Sequence, residues 1–127
     1  MRLTFKSNER LKSKVLFEKL FNEGASITVF PIKLHYLKTD AFSEVPIKVA
    51  VSAPKRRFRK AVDRNRIKRL LREAYRLNKP LIFNNIEGNY AFLILYLGRK
   101  MPSYDILDGA FKEVLEKFKA QADETIA

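Results

Sequence analysis

Residues 61–75 read Ala61-Val62-Asp63-Arg64-Asn65-Arg66-Ile67-Lys68-Arg69-Leu70-Leu71-Arg72-Glu73-Ala74-Tyr75. Stepped at roughly 100° per residue, this stretch and its continuation separate into two faces. Ile67, Leu70, Leu71, Ala74 and Leu77 share one arc, while Asn65, Arg66, Lys68, Arg69, Arg72 and Arg76 share the other. An apolar arc of that kind needs a core to cover it. The spacing therefore predicts a helix over 63–78, with Asp63 as N-cap and Pro80 as the stop. The other arc is a ridge dominated by arginine, with Arg64 at its edge. Guanidinium forks bind phosphate oxygens in pairs and stack on bases.

The surroundings of the helix sharpen the point. Between Lys55 and Lys79 there are twelve basic residues and two acidic ones, Asp63 and Glu73, so this window carries +10 of the chain's net +12. A solvated helix face normally interleaves Glu with Lys at i, i+4. One sign concentrated in one place costs self-repulsion that a bound polyanion relieves. A membrane- or calmodulin-type basic helix is the weaker reading, because the apolar arc is needed by the chain's own core. The approach, Ala53-Pro54-Lys55-Arg56-Arg57-Phe58-Arg59-Lys60, is a basic loop; Phe58 reads equally as a core plug or as a ring beside the ridge.

Upstream, Lys14 to Asn22 reads as a helix with Ser13 as N-cap and Gly24 as the stop; Leu16, Phe17, Leu20 and Phe21 share its apolar arc. Three β-rich runs follow, Ser26–Phe30, Ile32–Leu37 and Pro46–Ser52. Pro31 separates the first two, and Thr39–Val45 reads as a hairpin loop. His35 and Tyr36 alternate, so one of them faces the exposed side of the sheet. Downstream, Asn84–Asn89 reads as a turn. Tyr90–Leu97 is continuously apolar and is predicted as a strand buried on both faces. After a loop, Gly98–Pro102, Ser103 or Asp105 caps a last helix whose apolar positions are Ile106, Leu107, Ala110, Phe111, Val114, Leu115 and Phe118, and the tail from Gln121 is expected to fray. The order is αβββαβα, an α+β sandwich with helices on a small mixed sheet. Its third and fourth strands, joined by a helix, can run parallel.

Length and composition bound what such a domain can do. The 127 residues suit a single domain over 1–127, and 46% hydrophobic content is enough for a core. With no cysteine there is no disulfide framework, cysteine zinc site, iron–sulfur cluster or thiol nucleophile. His35 is the sole histidine. P-loop, GxGxxG, GxSxG and HExxH motifs are all missing, so neither a self-contained catalytic site nor a metal site is expected. Asp105 and Asp108 suit helix capping better than catalysis. Met1–Arg10 is polar, and the eight-residue apolar run at 90–97 is far below the roughly 20 residues of a membrane helix. A soluble, cytoplasmic protein without a membrane partner is expected.

The run Ala61–Tyr75, with Arg64-Asn65-Arg66 at its centre, closely resembles the signature of the bacterial ribonuclease P protein family. Phe17-Glu18-Lys19-Leu20-Phe21-Asn22-Glu23-Gly24 resembles that family's first helix. Val49–Ser52 resembles the strand before its basic loop, and Tyr90–Leu97 with the last helix resembles its closing elements. The resemblance spans about Leu11 to Lys119. It implies the family's fold, shared with a ribosomal-protein domain and built with a left-handed βαβ crossover against the usual right-handed rule. It implies an accessory subunit that binds a catalytic RNA and the 5′ leader of precursor tRNA. The RNA removes the leader with magnesium ions, so no cofactor in the protein and no obligatory protein partner are expected. Arg64, Asn65, Arg66, Lys68, Arg69 and Arg72 match the RNA-binding helix, and Arg76 extends the ridge. Phe17 and Phe21, which the helical pattern alone assigns to the core, match leader-contacting rings. His35 matches an aromatic on the cleft floor, and Lys55 and Arg56 match a basic pair after the strand. Pro54, Phe58 and a loop one residue longer depart from the pattern. The competing reading is a ribosomal-protein-like structural RNA binder without a processing role. Sequence-specific DNA binding ranks third, since no companion helix or dimer seam accompanies the basic helix.

Overall fold

The computed structural model describes residues 9–83 and 86–126, the last five by backbone alone. In chain order the elements are α1 (Lys14–Glu23), β1 (Ala25–Val29), β2 (Ile32–Thr39), β3 (Ile47–Ser52), α2 (Ala61–Leu77), α3 (Lys79–Phe83), β4 (Asn89–Tyr96) and α4 (Tyr104–Ile126). The strands form one sheet in the order β1-β2-β4-β3. β1 and β2, and β2 and β4, are antiparallel; β3 and β4 are parallel. Among the described residues no helix is long and apolar enough to cross a membrane.

The continuous apolar run explains the strand order. β4 has a strand on each side and a layer on each face, so nearly every residue from Tyr90 to Tyr96 is buried. On one face Ile32, Leu34, Ile47, Val49, Phe92 and Ile94 meet α2 and α4. Phe118 of α4 stands edge-on to Phe92, with ring centroids 5.1 Å apart at 83°. Each such ring contributes about 1.5–3 kcal/mol through burial. On the other face Ala91 and Leu93 meet Leu16 and Leu20 of α1, with Leu11 and Phe42. One short helix cannot cover a four-stranded face, and the rest of it stays open.

The α+β layering and the helix, strand and loop positions agree with the sequence in outline. Several details differ. Thr39–Val45 is not a hairpin loop, because β4 lies between β2 and β3; the segment crosses the end of the sheet. α2 starts at Ala61, not Asp63. The Nη1 of Arg64 donates to the carbonyls of Phe58 and Arg59 at 2.7 and 2.9 Å, closing the loop onto the first turn, and the N-cap Lys60 makes no side-chain cap. Pro80 does not stop that helix. Asn78 caps it, donating from Nδ2 to the Ala74 carbonyl at 2.7 Å and to Asp108 at 2.9 Å. Pro80 then sits in the first turn of the extra helix α3, where its missing N–H costs nothing. Tyr75 is fully buried, while Leu77, placed on the core arc, is 40% exposed. α4 continues past Gln121 to Ile126. Of the turn at 84–89, residues 84 and 85 lie outside the described residues.

Asp108 does not cap α4, as its type suggested; it ties α4 to the Asn78 cap of α2. Burial alone would raise its carboxyl, but hydrogen bonds from Asn78, Lys112 and Tyr104 outweigh that and hold it below the usual range. Ser103 is the residue that caps α4, its Oγ accepting from the Ile106 amide at 3.3 Å.

The N-terminal approach adds a buried ion pair. Arg10 bridges to Val49 at the free edge of β3, and the Leu11 amide donates to the Val49 carbonyl at 2.9 Å. One residue earlier, Glu9 pairs with Lys79 of α3 at 2.5 Å, both side chains being at least nine-tenths buried. The Lys79 ammonium also sits 5.7 Å from the centre of the Phe83 ring. Burial and the Glu9 carboxylate together push the Tyr75 phenol up.

Candidate functional site

Alternation along β2 sends Leu34 and Tyr36 toward α4 and turns Lys33, His35 and Leu37 to the open face. Tyr36 meets Phe118 at 4.9 Å and donates from its hydroxyl to Gln121. The register then sets the floor of a cleft. His35 pairs with Leu93, which pairs with Ala50. The next row runs Lys33, Leu95, Ser52. The wall is α1. Its N-cap Ser13 accepts from the Leu16 amide at 3.3 Å, and Gly24 ends the helix as the spacing predicts. Only Leu16 and Leu20 of the apolar arc are buried. Phe17 is half-buried at the edge of that packing, and Phe21 is 57% exposed. The Phe21 ring lies 5.1 Å from His35, tilted by 59°. The helical pattern assigned both rings to the core, and for Phe21 that assignment fails.

Sequence reasoning missed Lys33. The signal was available, because Lys33 has the same parity as His35 on one strand. Burial first, and then the Lys33 charge, lower the His35 pKa from its ordinary value. The imidazole is therefore neutral at neutral pH. The sign follows from linkage: the unfolded chain binds the proton more tightly, so this contribution to stability is full above about pH 6.5 and is lost as pH falls below it. NMR titration of this single histidine is expected to give a midpoint below 6.5. Lys33→Ala raises the midpoint, and an anionic strand in the cleft raises it further. A midpoint at or above 6.5 in the free protein contradicts this assignment.

α2 packs on the opposite face of the sheet, and its ridge runs beside the β3 edge, where Arg10 and Leu11 bond to Val49. Asn65, Arg66 and Arg69 are exposed, and Lys68 and Arg72 are half-exposed. Arg66, Lys68, Arg69 and Arg72 have no carboxylate partner among the described residues. Arg72 shares a recess with Arg10 and Val49–Val51. Burial and the neighbouring Arg10 charge pull its guanidinium below the ordinary value, a repulsion that an anion between them would relieve. Two predicted ridge residues are engaged within the chain. Arg64 holds the loop carbonyls, and Arg76 forks onto Glu73, with Nε 3.1 Å from its carboxylate. Lys55 and Arg56 are exposed in the loop that follows β3. Phe58 resolves as a core plug, 7% exposed and 5.8 Å from the Tyr96 ring.

The site thus joins an aromatic-walled groove to an open guanidinium ridge. Solved structures share its framework. The RNase P protein of Staphylococcus aureus matches with a TM-score of 0.71 at 20% identity, over 87% of this chain and 95% of that one. The RNase P protein of Thermotoga maritima matches with a TM-score of 0.68 at 18% identity, over 85% and 96%. At those identities the likeness establishes the fold. Sequence carries the comparison further. The ribonuclease P protein component of Porphyromonas gingivalis is 34% identical over 113 residues, covering 85% of this chain and 81% of that protein. The component of Clostridioides difficile is 28% identical over 117 residues, covering 91% and 96%. The model of the family described as Ribonuclease P matches residues 5–119, a span that holds the ridge, the cleft and every strand. By that match, by the Arg64-Asn65-Arg66 helix and by the shared fold, the chain belongs to the ribonuclease P protein family.

Proposed function

We propose that this chain, a protein component of ribonuclease P, works as one RNA-binding domain with two surfaces. The ridge formed by Asn65, Arg66, Lys68, Arg69 and Arg72 docks on the RNA subunit. The cleft between Phe17, Phe21 and His35 holds the single-stranded leader of precursor tRNA, with Lys55 and Arg56 at its mouth. Arg64 shapes the loop beside the ridge, and Arg76 contributes in competition with its bond to Glu73. Hydrolysis of the leader belongs to the RNA subunit and its magnesium ions, in the cytoplasm. The chain contributes phosphate neutralisation, positioning and leader affinity.

The single observation that carries this reading is that Arg66 and Arg69 have no carboxylate partner among the described residues. Two adjacent exposed guanidiniums without a carboxylate repel each other and have no task inside the fold. About five phosphate contacts would give a log–log salt slope on the order of −3 to −4. Capture of RNA from extract on the immobilised chain tests the assignment. Recovery of one RNA of the ribonuclease P type supports it, and recovery of ribosomal RNA in its place overturns it.

For the cleft, Phe21→Ala isolates binding from folding, because the ring is mostly solvated already. The loss of stacking is expected to weaken leader binding by about 1–3 kcal/mol. The measurement compares precursor tRNA carrying a leader with leaderless tRNA on the assembled particle. Equal affinity of wild type and variant for the leader-bearing substrate removes Phe21 from the site.

A further inference from the structure

A second recess lies beyond the end of the sheet, where the β1–β2 turn, the end of β4 and the start of α4 meet. Its volume is about 690 Å³, within the range of small-ligand pockets. Phe30, Tyr96 and Ile106 supply its apolar surface, and Arg57, Arg99 and Lys100 supply its charge. Among the described residues no carboxylate lines it. Phe30 is 72% and Ile106 58% exposed, a large uncovered apolar area on a chain this polar.

The recess is built by the fold. The Leu97 amide donates to the Pro31 carbonyl at 2.7 Å, fastening the end of β4 to the turn that carries Phe30. The Tyr96 hydroxyl donates to the Lys100 carbonyl at 2.6 Å, curling the loop back over its ring. A Cβ on Gly98 would lie 2.1 Å from that hydroxyl oxygen, so only glycine lets the loop lie so close. The Arg57 guanidinium donates to the Leu97 carbonyl and ties the basic loop to the same rim. Arg99 and Lys100 are left pointing outward, both exposed.

We propose that this recess takes one unpaired nucleotide of an RNA strand, its base on Phe30 and its phosphate between Arg99 and Lys100. The occupant must bring an apolar plane and a negative charge together, and a nucleotide does so in one unit. A second copy of the chain is disfavoured, since each copy carries +12. The recess is distinct from the cleft. Tyr96 and Leu95 project to opposite faces of the sheet, and none of the cleft residues lines the recess. The proposal rests on the reading of the chain as an RNA binder and adds a second contact to it.

Amide NMR of the full chain titrated with hexaadenylate reads the two surfaces separately. Shifts at His35 report the cleft. Shifts at Phe30 and Gly98 to Met101 report the recess and are expected together with them. Phe30→Ala is expected to remove the recess shifts, leave the cleft shifts in place and weaken adenosine 5′-monophosphate binding at the recess by about tenfold. Ribose 5-phosphate, which lacks the base, is expected to bind there at least tenfold more weakly than the nucleotide. Shifts at the cleft alone overturn this inference and leave the proposed function standing; shifts at neither overturn both. Equal binding of the two phosphates, or tighter binding of an acidic phenylalanine-containing peptide, also overturns it.

Discussion

Arg66→Glu combined with Arg69→Glu is expected to reduce affinity for the ribonuclease P RNA of the same genome by more than about a hundredfold at physiological salt. The two substitutions change the charge of the ridge by four, and they replace cations at phosphates with anions that repel them. Neither side chain has a carboxylate partner among the described residues, so the urea midpoint is expected to hold, as surface changes usually move stability by less than about 0.5 kcal/mol. The contrast between the two measurements is what identifies a docking surface. Binding within threefold of wild type, with the fold intact, would show that the ridge faces solvent in the assembled particle. Loss of binding accompanied by loss of the cooperative urea transition would show that the arginines serve the fold.

Lys79→Met is expected to cost about 3–5 kcal/mol, because it removes the cation that pairs with the buried Glu9 carboxylate. The double substitution Glu9→Leu with Lys79→Met is expected to recover most of that loss, since an apolar pair of similar volume needs no mutual compensation. Urea denaturation of the three proteins measures both steps. A single variant as stable as wild type would mean that water reaches the pair and solvates Glu9. The pair also ties the approach to α1 to the junction after α2, so its loss is expected to reach the Arg10 bridge on β3 as well.

Much of this architecture is legible in the sequence, for identifiable reasons. α2 stands out because its apolar and basic arcs separate cleanly at helical spacing. The centrality of β4 follows from an apolar run that leaves no face for water. What the sequence conceals is non-local. No local signal places β4 between β2 and β3, so the 39–45 segment looks like a hairpin connection until the pairing is known. Asp63 looks like a cap because its type suits one, yet the Arg64 guanidinium bonded to the loop carbonyls begins the helix two residues earlier. Phe17 and Phe21 show the limit of pattern for function. An apolar arc tells which residues could be covered but not whether a layer exists to cover them. The family resemblance corrected Phe21, and Lys33 could have been found only by extending strand parity from His35.

Gly24 bears on how the groove admits a strand. A Cβ there would lie 2.4 Å from the Leu20 carbonyl oxygen and 2.8 Å from that of Tyr36, so the helix wall and the sheet floor are seamed together with no side chain between. The height of α1 above the sheet at this end of the groove is thus set by a backbone contact that any larger residue at position 24 would force apart.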